Sequence, residues 1–124
     1  MIVVTRCITQ ELAALGDEFK EAALMARQRF DFRKCGHESQ PIGARRCIQS
    51  MITSNQNAHH YMVATQDKAL RRSLAETAGV PLMYLNGVVL VLEPPSQASV
   101  AFVSEVRLLI WQWLSSLWIY ACRW

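Results

Sequence analysis

Short apolar runs along this chain alternate with segments whose apolar residues recur every three or four positions, which predicts strands separated by helices. The most complete unit is residues 60–85, HYMVATQDKALRRSLAETAGVPLMYL. Residues 60–65 are apolar without polar alternation, as in a strand buried on both faces. Asp67 breaks the run and is placed to cap a helix by accepting from free N–H groups of its first turn. Leu70 and Leu74 share one face of that helix, while Lys68, Arg71 and Arg72 gather on another. Gly79 stops it, and 80–85 is a second buried run with Pro81 near its start, where a missing N–H is tolerated. The unit reads as β-α-β. A right-handed crossover carries Asp67 to the carboxyl edge of a parallel sheet, where α/β proteins hold ligands. An acid there has two readings, divalent-metal ligand or helix cap, and capping is the commoner use.

The flanking pattern adds further elements. Residues 1–5 read as a buried strand, 8–15 as a short helix ending at Gly16, and 17–29 as a helix whose early acids and late bases match its dipole. Phe19, Ala22, Ala23, Ala26 and Phe30 form the apolar stripe of the latter. Glu11 falls in the first of these helices, where its plain reading is a surface acid. Residues 31–46 lose periodicity around Gly36, Pro41 and Gly43 and are expected to be a loop, with a helix over 44–52 burying Ile48, Met51 and Ile52. Asn86-Gly87 signals a hairpin turn into a strand over 88–92, after which Ser96 or Ser99 caps a helix carrying Val100, Val103 and Val106. The last segment, 106–124, is rich in tryptophan. Its uncharged stretch falls short of the roughly 20 apolar residues that cross a bilayer, so a membrane span is disfavoured. Core helix, partner-binding face and interfacial anchor stay open for it.

Composition narrows the chemistry. With 124 residues the chain has the size of one domain, and a net charge of +3 permits a polyanionic partner without demanding one. Basic residues cluster at Arg27, Arg29, Arg33, Lys34, Arg45 and Arg46, and again at Lys68, Arg71 and Arg72, either as solvated faces or as contacts to phosphate. Four cysteines are few for a disulfide scaffold, and no charged segment followed by an apolar leader opens the chain, so reduced thiols inside a cell are expected. Cys35, His37 and Cys47 offer three ligands of the type zinc prefers, in a segment too polar to form its own core. The fourth donor is open among Cys7, His59 and His60; the competing reading is a half-buried thiol beside a surface histidine. The histidine pair itself reads as polar structure at a strand's edge.

Five stretches in order, TRCITQELAALG, RFDFRKCGH with the later Cys47, HHYMVATQDKALRRSL, GVPLMYL and VLVLEPPSQAS, resemble the PIN-domain proteins of small-subunit ribosomal RNA processing, of the Utp-twenty-three and Fcf-one types. The resemblance spans residues 5–102. It implies an α/β chain, a three-layer α/β/α PIN-like domain with a mostly parallel central sheet, here incomplete at its N-terminus and covering 1–105, with a zinc-binding loop at 30–47 and an atypical segment at 106–124. It further implies a nuclear, nucleolar factor whose partners are pre-rRNA or snoRNA and small-subunit processome proteins. Active PIN domains gather carboxylates around divalent ions that activate water, and the matching positions here are Glu11 and Asp67. The pattern departs from activity in three ways. A preceding strand with its aspartate is absent, Lys68-Ala69 stands where another acid follows, and Phe30 takes the place expected for the first cysteine of a Cys-Cys-His-Cys zinc site. The expectation is a degenerate PIN domain that binds RNA through Arg33, Lys34, Arg45, Arg46, Lys68, Arg71 and Arg72, with structural zinc on Cys35, His37 and Cys47. The alternative is a metal-dependent endoribonuclease.

Overall fold

Two parallel strand pairs, each closed by helical crossovers, organise the chain. The computed structural model describes the backbone of residues 1–121 and the side chains through residue 112, and it divides into two compact units, Met1–Asn55 and Gln56–Trp124. The readings made for the side chains of 113–124 and for Cys122 lie outside the described residues.

In the first unit, β1 (Val3–Val4) leads into α1 (Arg6–Ala14), a 3-10 turn (Asp17–Phe19), α2 (Lys20–Arg29), β2 (Asp31–Phe32) and α3 (Ala44–Thr53). β1 and β2 are parallel, with Val3 opposite Asp31 and Val4 opposite Phe32. Hydrogen bonds from Asp31 N–H to the Ile2 carbonyl (3.0 Å) and from Arg33 N–H to the Val4 carbonyl (2.8 Å) hold the register. This pairing corrects the expectation of a loop starting at residue 31. Two residues carry too little periodicity to announce a strand, and the partner that makes them one lies far back in the chain. α1 also starts earlier than its composition suggests, because Thr5 is extended and its Oγ1 accepts the Ile8 N–H at 3.4 Å. The stripe expected on α2 is only partly covered: Ala26 is buried and Ala23 and Phe30 are half-buried, but Ala22 is exposed and Phe19 is 43% exposed. The core is instead Val4, Cys7, Ala26, Cys47 and Ile52, with Ile48 and Met51 half-buried.

The second unit runs β3 (Val63–Ala64), α4 (Lys68–Ala75), β4 (Leu82–Asn86), β5 (Val89–Leu92) and α5 (Gln97–Ala121). β3 and β4 are parallel, β4 and β5 antiparallel, in the order β3-β4-β5. The β-α-β unit and the Asn86-Gly87 hairpin are therefore present as the sequence predicts. β3 is shorter than expected, since His60 sits at φ +54, outside the strand region, and it has one buried face: Val63 is buried while Met62 and Ala64 are exposed. Asn57, only 3% exposed, donates to the Tyr61 and Gly79 carbonyls and accepts the Tyr61 N–H, tying the approach to β3 onto the turn before β4. Leu70 and Leu74 of α4 pack with Val63, Val80 and Leu82 as the core. Ser96 caps α5, its Oγ accepting the Ser99 N–H at 3.2 Å. Val100, Val103 and Trp111 of that helix are more than half exposed, and among the described residues no helix is long and apolar enough to cross a membrane. The class is α/β, with the described strands in two sheets rather than one.

Candidate metal centre and nucleic-acid interface

Parallel pairing of β1 with β2 determines which cysteines meet. Val4 and Phe32 are register partners at the carboxyl ends of their strands; Cys7 stands three residues beyond the first and Cys35 three beyond the second. Both chains leave the sheet at the same edge, and the two Sγ atoms lie 3.9 Å apart. Cys47 arrives on the first turn of α3, and His37 follows Cys35 by two residues. The ligand atoms of Cys7, Cys35, His37 and Cys47 all lie within 4.8 Å of one another. Cys7 and Cys47 are almost fully buried, at 1% and 0% exposure. All three thiols are free, and Thr5 Oγ1 lies 3.3 Å from Cys47 Sγ.

Of the three candidates the sequence left open for a fourth donor, the structure brings Cys7 to Cys35, His37 and Cys47. The expectation that Phe30 occupies the missing cysteine's place is corrected: Phe30 is the extended residue between α2 and β2, and the thiol in the cluster comes from α1. His59 and His60 belong to the other unit and are not in it. Sequence reading also passed over Glu38. Its carboxylate accepts the Cys35 N–H at 2.8 Å and the Gly36 N–H at 3.2 Å, folding the Cys35-Gly36-His37 turn, in which Gly36 has φ +79. A carboxylate three residues after a ligand cysteine, across a glycine, is the only local sign of this role.

These residues fit a zinc ion. Four tetrahedral ligands at the usual zinc–sulfur distance of about 2.3 Å lie about 3.8 Å apart, close to the Cys7–Cys35 separation. His37 Nδ1 is buried and has no hydrogen-bond partner among the described residues, the state of a ring nitrogen directed at a metal rather than at protein. The donor set, three thiols and an imidazole, is one that closed structural zinc sites use. The thiols are electrostatically unlike. Burial pushes the Cys47 thiol up to about 12; Thr5 opposes this, while the hydrogen bonds and charge of Cys35 and the bond with Cys7 add to it. At Cys35 burial also acts upward, but hydrogen bonds, first from the His37 backbone and then from Cys47 and Cys7, outweigh it and hold the thiol below its ordinary value. The Glu38 carboxyl is likewise held low, by its own backbone N–H first, then by those of Cys35 and Gly36 and by the Lys34 charge, with slight burial opposing.

The two acids singled out from the sequence are both helix caps. Asp67 Oδ1 accepts the N–H groups of Ala69 (2.9 Å) and Leu70 (3.1 Å) at the start of α4, and Glu11 Oε2 accepts the Ala44 N–H (2.7 Å) at the start of α3. Among the basic residues, Arg33 and Lys34 immediately precede Cys35, and Arg45 and Arg46 immediately precede Cys47, all four exposed. Lys68 and Arg72 are exposed on α4. Arg71 differs: its side chain is 15% exposed, lies 3.3 Å from Glu93 Oε1 and sits with its guanidinium carbon 4.4 Å from the centre of the Tyr84 ring. Its charge clamps α4 to the hairpin, which displaces it from the set of solvent-facing bases.

With its parallel strands joined by helical crossovers, the chain is similar in structure to a solved structure described as the PIN domain endonuclease Utp24. The TM-score is 0.64 at 26% identity, over 73% of this chain and 65% of that one, so the class is a PIN-type α/β domain. The chain belongs to the Fcf1 family, whose profile matches residues 1–94. It is 40% identical over 98 residues to the rRNA-processing protein utp23 of Schizosaccharomyces pombe, covering 78% of this chain and 37% of that protein. Against the rRNA-processing protein FCF1 homolog of Mus musculus it is 34% identical over 84 residues, 67% of this chain and 40% of the relative. The chain thus spans less than half the length of these curated relatives.

Proposed function

We propose that this chain is a ribosome-biogenesis factor of small-subunit pre-rRNA processing in the nucleus and nucleolus, in which a degenerate PIN domain binds RNA and processome proteins without cleaving. Family membership supports the pathway, since the relatives are named as rRNA-processing proteins. The observation that carries the loss of cleavage is that Glu11 and Asp67 each use a carboxylate oxygen to cap a helix, with Lys68 next to Asp67. A hard divalent cation prefers a shell of oxygens, and these two acids offer a poor one. Cys7, Cys35, His37 and Cys47 hold structural zinc, which when bound neutralises the thiolates and ties α1, the loop after β2 and α3 together. The bases beside Cys35 and Cys47 are then presented on a braced surface, where Arg33, Lys34, Arg45 and Arg46 meet phosphates. Lys68 and Arg72 add to this binding.

Binding of a small-subunit pre-rRNA fragment, followed by fluorescence polarisation through a salt series, tests the reading. Affinity should fall steeply with salt, and each phosphate contact removed by Arg→Ala should lower the slope by about 1. Absence of binding at low salt would remove the basis of the proposal. A second reading, a metal-dependent endoribonuclease, is favoured by the solved neighbour's description as an endonuclease. Manganese-dependent cleavage lost in Asp67→Asn would establish it, because asparagine retains the cap but not the charge.

A further inference from the structure

The first turn of α3 contains a metal-site cysteine and lacks a cap of its own. Its N-cap is Gly43, which has no side chain, and the turn carries no acid; Arg45 and Arg46 instead place positive charge where the helix dipole disfavours it. The missing acceptor comes from 33 residues away in sequence, as Glu11 Oε2 takes the Ala44 N–H at 2.7 Å. Gly43 is fitted to that approach. It sits at φ +87, and a Cβ there would stand 3.3 Å from Glu11 Oε2, so a larger residue would crowd the incoming carboxylate.

Glu11 follows Cys7 by four residues on α1, and Cys47 follows Ala44 by three on α3, so each pair shares a helix face. The two helices meet at two levels: thiols with thiols at one, carboxylate with helix terminus at the other. Thr5 Oγ1 against Cys47 Sγ, 3.3 Å, adds a third tie on the thiol side. From this register we infer that Glu11 is a positioning residue of the Cys7, Cys35, His37 and Cys47 centre, holding the α3 turn that delivers Cys47, and not a ligand of a catalytic cation. The inference rests on the reading that those four residues hold zinc. It also gives the acid and the zinc site one shared element, α3, so that loss of the ion loosens the turn that engages the carboxylate.

The test uses the full chain, with zinc affinity measured by competition against a chromophoric chelator and with hydrogen exchange at the Ala44 amide as an independent readout. Glu11→Ala should weaken zinc binding about tenfold, as loss of a group supporting a ligand does, and should speed Ala44 exchange. Glu11→Gln keeps an acceptor oxygen and should restore both. Gly43→Ala should reproduce the Glu11→Ala defect with the carboxylate still present. Equal zinc affinity and equal Ala44 exchange in wild type and Glu11→Ala would overturn the assignment. So would loss of manganese binding in Glu11→Gln with zinc affinity unchanged. A wild-type chain that takes up no zinc would overturn the metal reading itself, an outcome separate from the other two.

Discussion

Cys7 contributes to this molecule through its position after a strand rather than through any local motif. Buried beside Cys35 and within reach of Cys47 and His37, it is one of the four donors of the proposed zinc site, so Cys7→Ser should lower bound zinc as severely as Cys35→Ser, read by elemental analysis of the purified variants. Zinc requires deprotonated sulfur. The Cys47 thiol, raised to about 12 by burial, is protonated in the metal-free chain at neutral pH, so ion uptake must release its proton. Affinity should therefore rise with pH, and titration calorimetry at pH 7 in buffers of different ionisation enthalpy should report net proton release; uptake without release would contradict the assigned ligands. Arg71 makes a different residue-scale point. Held against Tyr84 and Glu93, it has less freedom than Lys68 or Arg72 to reach a phosphate. Arg71→Ala should lower stability and leave the salt slope of RNA binding unchanged, whereas Arg72→Ala should flatten that slope.

Helix α4 displays the element scale best, because its start and its buried face can each be assigned to residues, while it ends at Ala75, ahead of the Gly79 expected to stop it. Asp67 caps it through two backbone N–H groups, Leu70 and Leu74 are its buried face, and Gly79 at φ +73 turns the chain toward β4. Asp67→Ala should cost about 1 kcal/mol in urea denaturation and Asp67→Asn much less, since asparagine caps nearly as well. Leu74→Ala, at a site with 0% exposure, should cost about 2–5 kcal/mol. These features were legible because a helix writes its period and caps into adjacent residues. β2 was not. Asp31–Phe32 is two residues long and exposed, and only the backbone of β1 makes it a strand. Missing β2 is also why Cys7 could not be chosen over His59 and His60, since the β1–β2 register is what sets Cys7 opposite Cys35.

At the scale of the molecule, each unit has its own core, and the four residues of the proposed zinc site all lie in Met1–Asn55. Removing zinc with a chelator should accelerate hydrogen exchange around α1, the loop after β2 and the start of α3, and leave α4 and β4 unchanged; equal acceleration in both units would show that the ion supports more than its own. By itself the sequence determined the α/β class, the β-α-β unit around Asp67 and the hairpin at Asn86-Gly87, and it picked out three members of the Cys/His cluster, because each is a matter of periodicity, capping or short spacing between neighbours in the chain. Only the tertiary structure decided that Cys7 joins Cys35, His37 and Cys47 in one cluster, that Glu11 ends on the terminus of α3, and that Arg71 is held by Tyr84 and Glu93. Those outcomes depend on strand register and helix approach, which bring together residues from 13 to 40 positions apart, and no local pattern encodes the distance between such residues.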